Sequence, residues 1–323
     1  MKAFVLSRYG SPEVLVLKDV PKPVAGEGEV LIKIHATAIN DYDWSLVRGK
    51  PLLYRLMFGL LRPRNPIPGM ELAGTVVDMG PDATLFKVGD AVYGDTSDFG
   101  FGTFAEYIAV NEKALQPKPA DMTFEQAAAL PHASALAMQG LIEMGKINKS
   151  QRVLINGAGG GVGTIGLQLA KEFMCEVTGV DSGAKMEMMR SLGFDHVIDY
   201  QQEDFTRNGR QYDLILDTKT TRLPYAYQRS LTPGGRYVTV GGSPLKLIAL
   251  FLSKGLISNF SGKHMSILAL KPNKGLDYIS ALFQKGKIEP LIDGPFPLLK
   301  LPQALQYFGD AKHGGKVIIS IDL

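Results

Sequence analysis

A chain of 323 residues with one cysteine, Cys175, cannot close an intrachain disulfide or build a multi-cysteine metal site, and it suits a reducing compartment. Cys175 ends a helix-like run and reads as a small buried filler rather than a nucleophile. Charge of one sign is also scarce. The formal net charge is +3, dispersed along the chain, which argues against nucleic acid as a partner and reads as a mixed solvated surface. No long hydrophobic run exists. The most apolar stretch, "LKLIALFLSKGLIS", is short and broken by Lys254, so it does not span a bilayer. The start, "MKAFVLSRYG", lacks the charged, apolar and small-residue succession of a signal peptide. These absences lead us to expect a soluble cytoplasmic protein with no membrane or nucleic-acid partner. Hydrophobic residues, at 45%, are enough for a sizeable core, and the length suits two domains.

The first third carries short runs rich in branched and aromatic residues: "AFVLSRY", "VLVLKDV", "EVLIKIHATAI", "ELAGTVVDMG", "GDAVYG" and "FAEYIAV". Gly, Pro and Asp punctuate them, predicting a compact β-barrel or sandwich. After "KPADMT" the pattern changes. "TFEQAAALPHASALAMQGLIEMG" is Ala- and Leu-rich and reads as helices. Strand and helix patterns then alternate from "RVLIN" to "RYVTVGG", which implies a parallel sheet covered on both faces. "GLDYISALFQKGKI" reads as a late helix, and "GKVIISIDL" as a last strand able to return to the first domain. The fold class is α/β, with a β-domain beside a doubly wound parallel sheet.

"VLINGAGGGVGTIGLQLAK" places five glycines within residues 157–163, between a strand pattern and a helix pattern. Such a turn binds phosphate, because helix N-terminal amides point outward and glycine admits the pyrophosphate to the backbone. Gly161-Val162-Gly163-Thr164-Ile165-Gly166 matches G-x-G-x-x-G literally but begins late after the strand. The register Ala158, Gly160, Gly163 sits at the strand end and is physically better. A merely structural turn is the alternative; the strand before and the helix after speak against it. At the end of the next strand, "VTGVDSGAK", Asp181 alone favours NAD. Ser182 and Lys185 can hold a 2′-phosphate, unless Lys185 is a solvated helix lysine.

Taken in order, "ATAINDYDWSLVRG", "IPGMELAGTVVDMG", "FKVGDAVYG", "GTFAEYIAV", the glycine loop, "RSLGFDHVIDY", "YDLILDT" and "LTPGGRYVTVGG" resemble the medium-chain dehydrogenase/reductase superfamily. The resemblance is to its zinc-free quinone oxidoreductase branch, which includes zeta-crystallin-like proteins, and it covers nearly the whole chain. It implies a GroES-like catalytic domain from residues 1–120 and 270–323 around a Rossmann domain at 121–269, with an active-site cleft between them. Zinc-dependent relatives carry histidine in a "GHE" triplet; here it is Gly69-Met70-Glu71. Their first ligating cysteine falls near Asn40 or Asp41, and their structural-zinc cysteines near "DTSDFGFG", where this chain has none. The five histidines show no close pairing along the sequence. No zinc is therefore expected. Without a Lewis acid the easier reaction is hydride addition to an electrophile such as a quinone or an enone.

The family pattern N-P-x-D sets Asn40 and Asp43 as the catalytic candidates, Asn40 as a hydrogen-bond donor to a carbonyl, Asp43 as an orienting or proton-relaying group. The competing reading is that both cap a helix start. Asp41 replaces the usual proline, Ser45 stands where some quinone reductases have tyrosine, and Ala137 where a threonine is common near the nicotinamide. Trp44 packs near substrate or in the core. For the cofactor, the resemblance points to Ala158, Gly160, Gly161, Val162 and Gly163 at the pyrophosphate and to Ser182, Lys185 and Tyr200 at a 2′-phosphate. Gly241 and Gly242 fall at the nicotinamide end, and Lys316 approaches the cofactor or lies on the surface. NADPH is expected; Asp181, awkward beside a phosphate, leaves NADH possible. The segment Arg48 to Pro68, with Leu53, Leu56, Met57 and Leu60 at helical spacing, is either a lid for a hydrophobic acceptor or a surface helix. Homodimers are common in the family, with "GGRYVTVGG" and the apolar segment after it as the interface by analogy. The expected activity is NADPH-dependent reduction of a small hydrophobic quinone or activated alkene. The alternatives are a catalytically idle NADPH-binding sensor, a zinc-type alcohol dehydrogenase, and a methyltransferase, which the long β-domain argues against.

Overall fold

Branched residues at alternating positions fold the N-terminal third into strands. In the computed structural model β1 spans Lys2–Leu6, β2 Leu15–Asp19 and β3 Glu29–Ala38. Two short helices follow, α1 at Asp41–Arg48 and α2 at Leu53–Phe58, then β4 (Glu71–Met79), β5 (Ala91–Asp95), β6 (Tyr107–Asn111) and β7 (Gln116–Pro117). The Ala-rich stretch forms α3 (Phe124–Ala129) and α4 (Pro131–Met138). Strand and helix then alternate: β8 Arg152–Asn156, α5 Gly161–Glu172, β9 Glu176–Asp181, α6 Met186–Ser191, β10 His196–Asp199 and β11 Tyr212–Asp217. After them come α7 Pro224–Arg229, β12 Leu231–Thr239, α8 Pro244–Ser261 and β13 His264–Ile267. The chain closes with α9 (Leu276–Gln284), β14 (Ile292–Pro297), α10 (Leu301–Gly309) and β15 (Lys316–Ser320). The structure describes residues 1–322. Leu323, part of the expected C-terminal segment, and the side chain of Met57 lie outside the described residues.

The chain divides into two compact units. Met1–His132, Pro272–Leu276 and the stretch from Ile292 onward form the first; Ala133–Lys271 and Asp277–Leu291 form the second. The division after His132, later than residue 120, has a local cause. α3 opens with a capping box between Thr123 and Gln126 and turns the small buried residues Ala127, Ala128 and Ala129 onto β3, β4 and β15, so it stays with the barrel. The segment 277–291 belongs to the second unit, where the Gln168 side chain both donates to and accepts from the Glu289 backbone, at 2.9 and 2.7 Å.

In the first unit the sheet order is β14-β15-β3-β4-β5-β7, with β6 also on β3. β15 returns from the end of the chain to lie antiparallel to β3, Ile318 opposite Ala38. Register then places the strand ends. Extending that pairing two residues sets Asn40 beside Lys316; Thr37 pairs with Leu72, which sets Glu71 beside Ala38; and Glu71 pairs with Asp95. Four chemically distinct polar residues thus meet at one rim of a barrel whose core is Val30, Ile32, Ile34, Leu72, Val92 and their neighbours.

The second unit holds a six-stranded sheet in the order β10-β9-β8-β11-β12-β13, with every pairing parallel. The order reverses between β8 and β11, and the carboxyl ends of strands at such a switch point are where doubly wound sheets bind ligands. Within the run "GGRYVTVGG", β12 is flanked by β11 and β13, and β13, which follows the apolar segment, is the edge strand on that side. Among the described residues no helix is long and apolar enough to cross a membrane.

Candidate active site

Asn40 follows the last residue pairs of β3 and precedes α1. Its side chain is held on both atoms. Nδ2 donates to Glu71 Oε2 at 2.7 Å, and Oδ1 accepts from Lys316 Nζ at 2.5 Å. Lys316 Nζ also lies 2.5 Å from Glu71 Oε2. The other Glu71 oxygen accepts the His132 backbone N–H at 2.6 Å. Glu71 is fully buried and Lys316 keeps 6% of its surface exposed. A lysine and a glutamate this deep are stable only because each neutralises the other. Lys316, expected to approach the cofactor or lie on the surface, is committed to this clamp.

Asn40 and Asp43 form a capping box at the start of α1. The Asp43 carboxylate accepts the Asn40 backbone N–H at 2.9 Å, a helix-capping bond, and the Asn40 side chain also engages Glu71 and Lys316. Burial pushes the Asp43 carboxyl up to about 7, opposed by the Asn40 N–H and by Lys316, with Glu71 adding to the rise. Its second oxygen is buried without a hydrogen-bond partner. Nearby, His132 Nδ1 lies 2.8 Å from Asp95 Oδ2. Burial alone would lower the His132 imidazole. The hydrogen bond and charge of Asp95, with Glu71, overcome that and hold it above its ordinary value, against Lys316. Asp95 is fully buried; its burial is likewise overcome, by His132 and the Ser97 N–H, and its carboxyl falls below the usual range.

The segment Arg48 to Pro68 shows which of its faces packs. Leu53, Leu56 and Leu60, the residues at helical spacing, are exposed. Tyr54 and Phe58 turn instead toward Tyr42 of α1 and Phe101. Tyr42 stacks on Phe101 with centroids 5.2 Å apart, and Phe58 meets Tyr42 edge-on at 5.1 Å. Leu46, Phe58, Arg64, Asn65 and Phe101 line a cavity of about 270 Å³. Trp44 packs on α10, where a Cβ at Gly309 would fall 2.3 Å from its ring, so its role there is packing.

In the second unit β8 ends at Asn156 and α5 begins at Gly161. Gly157 takes φ +87°, and a Cβ there would meet Thr218 Oγ1 at 2.0 Å. At Gly163 a Cβ would sit 2.4 Å from the Ala158 carbonyl oxygen. The turn therefore needs bare backbone at both points, and Gly163 is the close-packing glycine of the Ala158, Gly160, Gly163 register. Gly160 is the helix N-cap; the first-turn amides of Gly161, Val162 and Gly163 have no earlier helical carbonyl to bond. The Asp181 carboxylate ties this loop down. It accepts the Gly159 N–H at 2.9 Å and the Ser182 N–H at 2.8 Å. Lys185, 7% exposed, is not a solvated helix lysine: its Nζ lies 3.4 Å from Asp181. Tyr200 donates its backbone N–H to the Asp181 carbonyl at 3.1 Å, while its side chain is open to solvent. Gly241 and Gly242 follow β12, Gly241 facing the Thr218 carbonyl and Gly242 close to Lys219 and Thr220.

Sequence reasoning missed Glu71 as an ion partner, the Asp95–His132 pair and the buried acid beneath the glycine turn. That acid, Asp217, accepts from Asn156 Nδ2 at 2.7 Å and Tyr237 Oη at 2.8 Å. The only signals were polar residues at the ends of strongly apolar strand runs: Glu71, Asp95, Asn156 and Asp217. Among the described residues no three His, Cys, Asp or Glu side chains gather as a metal site.

Comparison with known proteins adds independent findings. The profile of the alcohol dehydrogenase GroES-like domain matches residues 26–120, and that of zinc-binding dehydrogenases matches residues 192–319. The chain is 33% identical over 333 residues to 2-methylene-furan-3-one reductase of Solanum lycopersicum, aligning 99% of this chain with 79% of that protein. It is 31% identical over 332 residues to the chloroplastic NADPH-dependent alkenal/one oxidoreductase of Arabidopsis thaliana, again 99% against 79%. The solved quinone oxidoreductase from Coxiella burnetii superposes with a TM-score of 0.85 at 26% identity, covering 100% of this chain and 99% of that one.

Proposed function

Because the chain belongs to the medium-chain dehydrogenase/reductase superfamily, in its quinone oxidoreductase branch, we propose that it is a zinc-independent, NADPH-dependent reductase of quinones or activated carbon–carbon double bonds. The observation that carries this reading is the Asn40 amide, fixed on both atoms by buried ions. Nδ2 has two protons and Glu71 takes one; the other is left to donate to an acceptor carbonyl, where negative charge develops during reduction. The Lys316 ammonium on Oδ1 polarises the amide and strengthens that donor. Glu71 already has its cation in Lys316, so this carboxylate calls for no metal. The bare glycine turn fits a dinucleotide: the Gly161, Val162 and Gly163 amides face its pyrophosphate, and Gly241 and Gly242 its nicotinamide end. The reduced nicotinamide supplies hydride when bound.

NADPH is favoured over NADH because Lys185 compensates Asp181, whose oxygens are engaged by the Gly159 and Ser182 amides. That leaves Ser182, Lys185 and Tyr200 for a 2′-phosphate. The aromatic set Tyr42, Tyr54, Phe58 and Phe101 suits a small hydrophobic electrophile. The cytoplasm and a homodimer remain our expectations for compartment and assembly.

Asn40→Ala tests the reading. It should lower kcat/KM for an enone by about 10²–10³-fold, the cost of losing one oxyanion donor, while NADPH affinity by fluorescence titration stays unchanged. An unaltered kcat/KM would remove Asn40 from the chemistry.

A further inference from the structure

We propose that His132 is the general acid that protonates the α carbon of an activated alkene substrate. This rests on the reductase reading above and deepens it. Hydride addition to the β carbon of an enone leaves an enolate, and the α carbon must then gain a proton. In this step the His132 Nε2–H bond breaks, the enolate electron pair forms the new Cα–H bond, and the neutral imidazole is recharged by solvent. A quinone needs no such acid, since its product takes protons on oxygen directly from water.

The geometry supports the assignment in three ways. Asp95 Oδ2 is 2.8 Å from Nδ1; a carboxylate only accepts, so Nδ1 is the donor there, and in the imidazolium form that Asp95 favours Nε2 carries the second, exchangeable proton. The His132 side chain keeps 17% of its surface exposed while Asp95 keeps none, so the ring lies outward of its buried counter-charge. Finally, Glu71 accepts from Asn40 Nδ2 on one oxygen and from the His132 N–H on the other. The side chain that would hold the substrate carbonyl and the backbone that carries the imidazole are therefore anchored to one fixed carboxylate. The α carbon is two bonds from that carbonyl oxygen, within one side chain's length of it.

The charged and titratable groups facing His132 are Asp95 of β5, Glu71 of β4, Lys316 of β15 and Asp43 of α1. The acids outweigh Lys316 and the burial of the ring and hold the imidazole above its ordinary value. Enone turnover should accordingly fall as pH rises through the raised imidazole value, while quinone turnover lacks that limb.

The decisive experiment compares wild type with His132→Gln, which keeps the backbone N–H to Glu71, on an α-methyl enone and a simple quinone in D₂O. The enone-to-quinone rate ratio should fall about 10²-fold, a typical loss for a general acid. The α-deuterated product should change from one stereoisomer to a mixture. If His132→Gln does not fold, the pH limb of the wild type decides, together with its imidazole titration by NMR. That titration should lie above the ordinary value of about 6.5 and move down in Asp95→Asn. An unchanged ratio with retained stereochemistry, a limb shared by both substrates, or an imidazole titrating at or below the ordinary value would each overturn the assignment. Wild type that reduces both acceptors while His132→Gln keeps the ratio rejects the acid alone. Wild type that oxidises NADPH with neither acceptor rejects the reductase reading and the acid with it.

Discussion

Two buried lysines, one in each unit, show how differently the same residue can be used. Lys185 and Lys316 are almost equally hidden, at 7% and 6% exposure. Lys185 meets Asp181 four residues earlier, at a loose 3.4 Å. Its ammonium keeps hydrogen-bonding capacity for a ligand. Lys316 meets Asn40, 276 residues away in the sequence, and Glu71, both at 2.5 Å. Its ammonium is engaged before any ligand arrives. A lysine held by a local pair stays available for recognition, whereas a lysine closing a long-range clamp serves the fold and orients its neighbours.

The largest test of that contrast is Lys316→Met. It leaves Glu71 buried without its cation and should cost about 3–5 kcal/mol of stability, read from urea denaturation. Adding Glu71→Gln should recover much of the stability but not the enone activity, because Asn40 remains unclamped. Equal stability of Lys316→Met and wild type would erase the distinction between the two lysines.

A smaller effect concerns pH. Asp43 beside the clamp has its carboxyl raised to about 7, against about 3.9 in the unfolded chain. Between those values the native state holds a proton that the unfolded state has lost, so stability falls as pH rises through the window. Asp43→Asn removes the titration. Wild-type stability relative to the variant should decline from about pH 4 to 7, by at most about 1.4 kcal/mol per pH unit. His132, also raised, acts in the same direction, its contribution being lost as pH climbs, and it is common to both proteins. A relative stability that rises over this range would contradict the Asp43 environment.

Lys185→Ala should give the mildest change. We expect KM for NADPH to rise about tenfold, equivalent to about 1.4 kcal/mol, with little change for NADH and in the denaturation midpoint. A large loss of stability would mean that Lys185, like Lys316, belongs to the structure first.

What could be read from the sequence follows the same divide between near and far. The glycine turn was legible because its backbone requirements are local: positive φ at Gly157 and the close approach of Gly163 to Ala158. Strand runs such as Glu29–Ala38 and Lys316–Ser320 were legible from branched residues, and the return of β15 to the first unit followed. The Asn40 clamp was not. Asn40, Glu71, Asp95 and Lys316 are brought together only by β-register, which no local pattern encodes. Lys185 was ambiguous because an i,i+4 partner looks the same in sequence whether the helix face is wet or buried. The helical spacing of Leu53 and Leu56 did mark α2, but which face packs was not legible, since the aromatic Tyr54 and Phe58 supply it.

The most direct test of the central claim is to mix the purified protein with NADPH, then NADH, and follow cofactor absorbance with a simple quinone and with an enone aldehyde. The account predicts faster loss of NADPH than of NADH with at least one acceptor. Tight NADPH binding with no oxidation by either would contradict it and point to a nucleotide sensor instead.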